Sequence, residues 1–283
     1  MTHVLACIDN SPSSLAVCDY AAWGSQRLSA PLTLLHVLDE AKYPASADLS
    51  GNIGLGSREH LLEELAELDA QRAKLALEQG QHMLEKARER TVFSGAASPE
   101  VKQRHGDLVE TLSDLKDDIR LLVIGKAGEK SMRAPHTLGG QVESVIRAFH
   151  QPILIANGNF KKPEKVMLAF DGSATSQKTI DVLVSSPFCT GLELHLVMAG
   201  KNSADNQARL DKARSTLAAS GLFVNAELRE GDVETVLQAY ETEQAIDLLI
   251  MGAYGHSRIR TLLVGSTTTT MLRTTTLPVL LLR

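Results

Sequence analysis

Residues 3–11 read HVLACIDNS and residues 165–173 read KVMLAFDGS: in each, a short apolar run ends in an aspartate, Asp9 or Asp171, followed by turn and helix-start residues. Further matches follow in the same order. LTLLHVL (Leu32–Leu38) pairs with LELHLVM (residues 192–198), and Gly106-Asp107 pairs with Gly231-Asp232. IRLLVIG (Ile119–Gly125) pairs with IDLLIMG (residues 246–252), and QPILIA ending at Ala156 pairs with LPVLLL ending at Leu282. Self-similarity of this extent marks a duplicated unit. Each run is nearly continuous in Val, Ile and Leu and is separated from the next by a longer stretch with helical spacing, the pattern of buried parallel strands joined by helical crossovers. Val142, Val145, Ile146 and Phe149 fall on one helix face, and Ser11-Pro12 reads as an N-cap followed by a proline at the first helical position. The expected fold is α/β: two tandem, doubly wound, Rossmann-like parallel sheets of five strands each.

The polar segment NGNFKKPE, residues 157–164, is the natural linker, so the chain divides into residues 1–157 and 158–283. The formal net charge of −5 resides in the first half, while the second balances 13 basic against 13 acidic residues. The first half also carries an insert from about Ala41 to Arg90. Its Gly- and Ser-rich start reads as a loop, and its charged remainder, Arg58 to Arg90 with Leu61, Leu65, Leu68 and Leu75, reads as one long helix. That helix would cover a sheet edge or the other half, or act as a lid or partner surface.

Composition narrows the function classes. The 283 residues are 43% hydrophobic and 4% aromatic, with Gly 20 and Pro 9, which excludes collagen-like and disordered chains and allows more than one core. A pI near 6.0 without Lys/Arg runs argues against nucleic acid as the partner. Cys7, Cys18 and Cys189 are odd in number, widely spaced and form no CxxC pair, so neither a disulfide framework nor a thiolate metal cage is expected. No apolar run approaches the roughly 18 residues of a membrane span, and no basic region precedes a long apolar stretch, so a cytoplasmic protein without membrane contact is expected.

In open parallel sheets, ligands sit beyond the carboxyl ends of the strands where chain order reverses. At that place in the second half, IDLLIM runs into Gly252-Ala253-Tyr254-Gly255, then HSRIRTLLV, then Gly265-Ser266 and the run Thr267 to Thr270. The spacing is G-x2-G-x9-G-S. Gly252 and Gly255 allow backbone to approach a ligand closely, and Gly265-Ser266 opens the last helix with free amides and a hydroxyl for an anion. No lysine precedes Ser266, and the spacing fits neither the P-loop nor the dinucleotide fingerprint, so a different nucleotide site is indicated.

This pattern resembles the universal stress protein family, in which G-x2-G-x9-G-[ST] after the fourth strand marks the ATP-binding members. The resemblance spans nearly the whole chain as two family domains in tandem and includes Asp9, Asp171 and the last-strand pattern. It implies ATP, magnesium-associated, in the second domain. Asp171, with backbone at Ala169 and Phe170, would meet the adenine or ribose end, and Val197 would line the adenine slot. Met251, Gly252 and Gly255 would hug the ribose and phosphates, and Gly265, Ser266, Thr267 and Thr268 would hold the phosphates. Taken alone, Asp171 also reads as a helix-capping carboxylate, although its place at the strand end favours the site, and the threonines also read as packing residues; Arg258 and Arg260 could meet phosphate charge, but a solvated loop arginine is the commoner case.

The first half departs from the pattern. Gly125 and Gly128 are in place, but ten residues including Pro135 separate Gly128 from Gly139, and Gly140 stands where the second half has Ser266. Weak or absent ATP binding is the expectation there. Catalytic signatures are scarce: no HExxH occurs, and His36, His195 and His256 read as structural or surface residues rather than acids or bases. A signalling binder is the leading reading, and a slow ATP hydrolase, an adenylate-transferring enzyme and a nucleotide-free scaffold are the rivals. The apolar strands ILIA and LPVLLL would be hazardous as free edges, so the halves are expected to pair there as an internal pseudo-dimer, with a homodimer left open.

Overall fold

The structure, a computed structural model, describes residues 2–38, 55–128, 138–253 and 266–283, with the backbone alone for residues 55–63 and 266. The first half runs β1 (His3–Cys7), α1 (Ser14–Leu28), β2 (Leu32–Leu38), α2 (Leu55–Phe93), β3 (Glu100–His105), α3 (Leu108–Leu115), β4 (Ile119–Gly125), α4 (Gly140–Ala148) and β5 (Ile153–Ala156). The second runs β6 (Lys165–Ala169), α5 (Ala174–Ser185), β7 (Glu193–Ala199), α6 (Ala204–Ala219), β8 (Phe223–Arg229), α7 (Val233–Glu243), β9 (Leu248–Gly252), α8 (Ser266–Thr274) and β10 (Val279–Leu282).

Strand order is β3-β2-β1-β4-β5-β10-β9-β6-β7-β8. Neighbours within each half are parallel, as the apolar runs require. Between the halves, β5 and β10 pair antiparallel, with Leu154 opposite Leu280, so the two five-stranded units form one continuous sheet. Both apolar edge candidates thereby become interior strands.

Alternation along the strands builds a core on each face. Val4, Ala6, Val166 and Leu168 point to the face covered by α1, α2, α5 and α6. Leu5, Met167, Leu249 and Met251 point to the face covered by α3, α4, α7 and α8. Few aromatics exist, and two pairs of them join α1 to the second half. Trp23 meets Phe188 edge-on at 5.0 Å and Tyr20 meets Phe160 at 4.8 Å. Arg27 adds hydrogen bonds to the Phe188 and Thr190 carbonyls.

Three local readings need correction. The helix after β1 opens at Ser14, not at Ser11-Pro12, because the Ser11 hydroxyl donates to Asp9 Oδ1 at 2.5 Å. The second concerns register. Val4 lies opposite Leu32 and its equivalent Val166 opposite Leu194, so Leu32 corresponds to Leu194, two residues later than the sequence match gave. His195 therefore corresponds to Thr33, and His36 to Met198. Third, the long helix of the insert is present, but its buried face is Ala76, Gly80, Leu84, Ala87 and Thr91, whereas Leu68 and Leu75 are exposed. Small residues face inward because α2 packs closely. A Cβ at Gly80 would meet Gln103 and the His36 ring.

Candidate ligand sites at the strand ends

Chain order reverses beside β1, between β2 and β4, and beside β6, between β7 and β9. The aspartates stand there. Asp9 Oδ1 accepts from Ser11 N at 3.1 Å and from the Ser11 and Ser14 hydroxyls, and Asp171 Oδ1 accepts from Ser173 N at 2.9 Å. Each carboxylate closes the turn after its strand. The cap of α5 is Ser173, whose side chain accepts from Ser176 N, so Asp171 is not that helix's cap.

In the first half these ends enclose a cavity of about 280 Å³. Ile8 and Asp9 follow β1, His36 and Val37 come from β2, Gly125 and Gly128 from the β4 end, and Gly139, Gly140 and Val142 from the start of α4. The opening turn of α4 has Gly139 at its cap with no side-chain cap bond, whereas Asp107, Ser173, Ser203 and Asp232 cap α3, α5, α6 and α7. First-turn amides of a helix have no intrahelical acceptor, so α4 presents uncapped donors and a positive dipole end to the cavity. Among the described residues a Cβ on Gly140 would meet nothing within 4 Å, while one on Gly128 would stand 3.0 Å from Asp9 Oδ2. His36 Nδ1 lies 2.8 Å from the Ile8 carbonyl, which fixes the ring on the cavity wall. Burial and the neighbouring Asp9 push the Cys7 thiol up to about 12, so it is no thiolate nucleophile.

The glycines that end β4 and β9 have a packing reason that the sequence reading missed. A Cβ on Gly125 would stand 2.8 Å from Ser13 Cβ, and one on Gly252 would stand 3.2 Å from Thr175 Cγ2. Ser13 and Thr175 are equivalent positions at the start of α1 and α5. These glycines let that helix start approach the neighbouring strand end.

In the second half, the described part of the anticipated site is assembled from the same elements. Phe170 N donates to the Val197 carbonyl at 2.9 Å, which joins the ends of β6 and β7. Val197 is wholly buried, and Met251 is nearly so, with Gly252 at the strand end. Ala169 is half-buried at the end of β6. α8 opens at Ser266 and lies against this corner, with the Thr268 hydroxyl donating to the Gly252 carbonyl at 3.2 Å. Thr268 is buried by that bond and Thr267 is half-buried. Gly255, His256, Arg258, Arg260 and Gly265 lie outside the described residues, as do the Ser266 side chain and, in the first half, Pro135.

One feature escaped the sequence reading altogether. Lys126, between Gly125 and Gly128, is buried, and its ammonium donates to the carbonyls of Arg273 at 3.1 Å and Thr275 at 2.9 Å at the far end of α8. Burial holds it below the ordinary lysine value. The available signal was the lysine in a glycine-bracketed loop where the second half has Ala253. Elsewhere, His195 is buried, with Nδ1 2.9 Å from the Tyr240 hydroxyl, and burial lowers its pKa despite Glu193 3.1 Å from Nε2. This arrangement is structural. Among the described residues no group of three or more His, Cys, Asp or Glu side chains is placed to hold a metal ion, and no helix is long and apolar enough to cross a membrane.

A family model described as the universal stress protein family matches residues 1–157 and again residues 163–283. The chain belongs to the universal stress protein family. It is a tandem member, with the family unit present twice. The universal stress protein Slr1230 of Synechocystis is 38% identical over 287 residues, covering 100% of both chains. A universal stress protein of Archaeoglobus fulgidus has the same fold with a TM-score of 0.70 at 18% identity, covering 99% of this chain and 98% of that one. A functionally unknown protein of Pseudomonas aeruginosa gives 0.63 at 16% identity, covering 100% and 92%.

Proposed function

We propose that this tandem universal stress protein binds ATP, magnesium-associated, in its C-terminal domain, and that occupancy acts as a signal in the stress response. The observation that carries the reading is the G-x2-G-x9-G-S spacing from Gly252 to Ser266, placed at a strand-order reversal. Its two ends are neighbours: α8, which opens with Ser266, is tied to the Gly252 carbonyl through Thr268. A helix start in that position can offer amides to phosphates. The first half supports the reading by analogy, since the same scaffold there gathers Asp9, Gly128 and an uncapped glycine helix start around one cavity.

In this reading magnesium arrives with the phosphates. Asp171, the backbone of Ala169 and Phe170, and Val197 serve the adenosine end, and Met251, Gly252 and Gly255 the ribose and phosphates. Gly265, Ser266, Thr267 and Thr268 take the phosphate tail. The first half, lacking the hydroxyl of Ser266 and holding Gly139 at a different distance from Gly128, binds ATP weakly or not at all. The two domains act in the cytoplasm as an internal pseudo-dimer.

Chromatography of the supernatant from acid-denatured protein tests the reading. Co-purified ATP or AMP is expected, and nucleotide-stripped protein should be stabilised by about 2.7 kcal/mol when ATP is at 100 times its dissociation constant. Loss of both in Gly265→Val would place the ligand in the second domain. Absence of nucleotide together with no melting shift in ATP would favour a scaffold instead.

A further inference from the structure

The first half holds a second cleft, of about 550 Å³, between α1 and the insert helix α2. It adjoins the strand-end cavity through Ile8, Asp9, His36 and Val37, but most of its wall comes from the two helices. The second half shows why it exists. The buried series Leu84, Ala87, Thr91 of α2 corresponds to Leu210, Ala213, Leu217 of α6, and each helix is followed by a positive-φ glycine, Gly95 or Gly221. By that correspondence Met83 stands where α6 has Arg209. The arginine lies across the turn after β6, with its Cδ 3.1 Å from the place of a Gly172 Cβ, and pairs with Asp205 at 2.9 Å. The first half puts an uncharged, shorter methionine there, and among the described residues its turn faces this cleft.

The chemistry of the walls specifies an occupant. Leu15, Ala76, Met83 and Ala87 make apolar surface on both helices, and Leu15 is 60% exposed beside the cleft. The polar groups on the floor are already engaged with one another: Asp9 Oδ1 accepts from the Ser11 amide and from the Ser11 and Ser14 hydroxyls. Arg90 is held by Asp19 through bonds of 2.9 and 2.7 Å. Lys86, on the α2 wall, has no acidic partner among the described residues, and His82 stands one turn before it. A mixed wall that gathers Leu15, Met83, Ala76 and Ala87 beside Lys86, a cation with no acidic partner among the described residues, suits a molecule with an apolar body and a single acid group. We infer that the α1/α2 cleft of the first domain is a binding site for an amphipathic organic acid, its apolar body against Met83 and Leu15 and its carboxylate against Lys86. The site is separate from the proposed ATP site and does not depend on it.

Methionine-methyl NMR on the full chain, labelled at its 7 methionines, tests this with 1-naphthoate as the probe and 1-naphthamide as its uncharged counterpart. The Met83 signal should shift saturably with naphthoate, and the amide should bind roughly tenfold more weakly, the loss of one charge contact worth about 1.4 kcal/mol. Lys86→Glu should weaken naphthoate to a similar degree, Lys86→Arg should retain it, and Gln79→Trp should block it by filling the mouth. Lys86 and Gln79 are exposed, so unchanged signals from the other methionines will verify the fold. A Met83 signal that stays still, or equal binding of acid and amide to wild type and Lys86→Glu, would overturn the inference.

Discussion

At the end of β4 the first half carries Gly125-Lys126-Ala127-Gly128, and at the end of β9 the second carries Gly252-Ala253-Tyr254-Gly255. The glycine at the strand end has one reason in both, the close approach of the next helix start. The residue after it differs, and that difference decides which half grips the other. Lys126 reaches past the end of β5 to hold the last carbonyls of α8, where a cation also complements the negative end of the helix dipole. Ala253 is buried and has no group to send back. The return contact comes instead from Arg283, whose guanidinium donates to the carbonyl of Ile146 at the end of α4, while Arg273 of α8 pairs with Glu143 of α4 at 3.0 Å. The two helices whose N-termini face the strand-end sites are thus tied to each other by unlike means. Duplication preserved the scaffold, and the ties were made separately.

The contact between the halves should break most severely at Trp23. Truncation to alanine removes the ring that meets Phe188 and should cost about 3–5 kcal/mol in denaturant unfolding. A loss under 1 kcal/mol would mean that α1 does not hold the halves together. Lys126→Met keeps the stem and removes the donor from the Arg273 carbonyl, while Thr275 keeps a bond from Asn157. The expected cost is about 1–3 kcal/mol, with faster hydrogen exchange in α8. Ala253→Lys should gain no comparable stability.

Gly140→Ser sharpens the comparison from the other side. No described residue comes within 4 Å of a Cβ at that position, so the serine should fit and give the first half the hydroxyl it lacks. ATP affinity there should rise by about fivefold, the value of one modest hydrogen bond near 1 kcal/mol, measured in a Gly265→Val background.

The smallest expected effect is acid sensitivity. The pKa of His195 is lowered in the folded chain from its ordinary 6.5, chiefly by burial, so the unfolded chain takes up the proton more readily. Its contribution is complete above about pH 6.5 and is lost as the pH falls. His195→Thr, which installs the residue of the equivalent position in the first half, should flatten the fall in stability between pH 7 and pH 5. An unchanged slope would assign the acid sensitivity to other groups.

The repeated strands, their order and the paired ends of ILIA and LPVLLL were legible because apolar runs and turn aspartates are local signals. The register of β7 was not. LTLLHVL and LELHLVM both repeat leucine with period two, and a slip of two residues keeps every side chain on its own face of the sheet. The inward face of α2 was hidden for a different reason. Leucines attract a periodicity reading, yet Ala76, Gly80 and Ala87 are what close packing selects. Lys126 carried no local signal of burial, since its burial depends on a helix 140 or more positions away in sequence. The glycine motif named the candidate nucleotide corner, and the cavity of the first half went unforeseen because loop spacing does not report whether a helix start is capped.

Calorimetric titration of nucleotide-stripped protein with ATP, comparing wild type, Gly265→Val and Gly139→Val, puts the central claim to the most direct test. One tight site that disappears in Gly265→Val and persists in Gly139→Val is the predicted result. A tight site that survives Gly265→Val and is lost in Gly139→Val would move the nucleotide to the first domain and contradict the account.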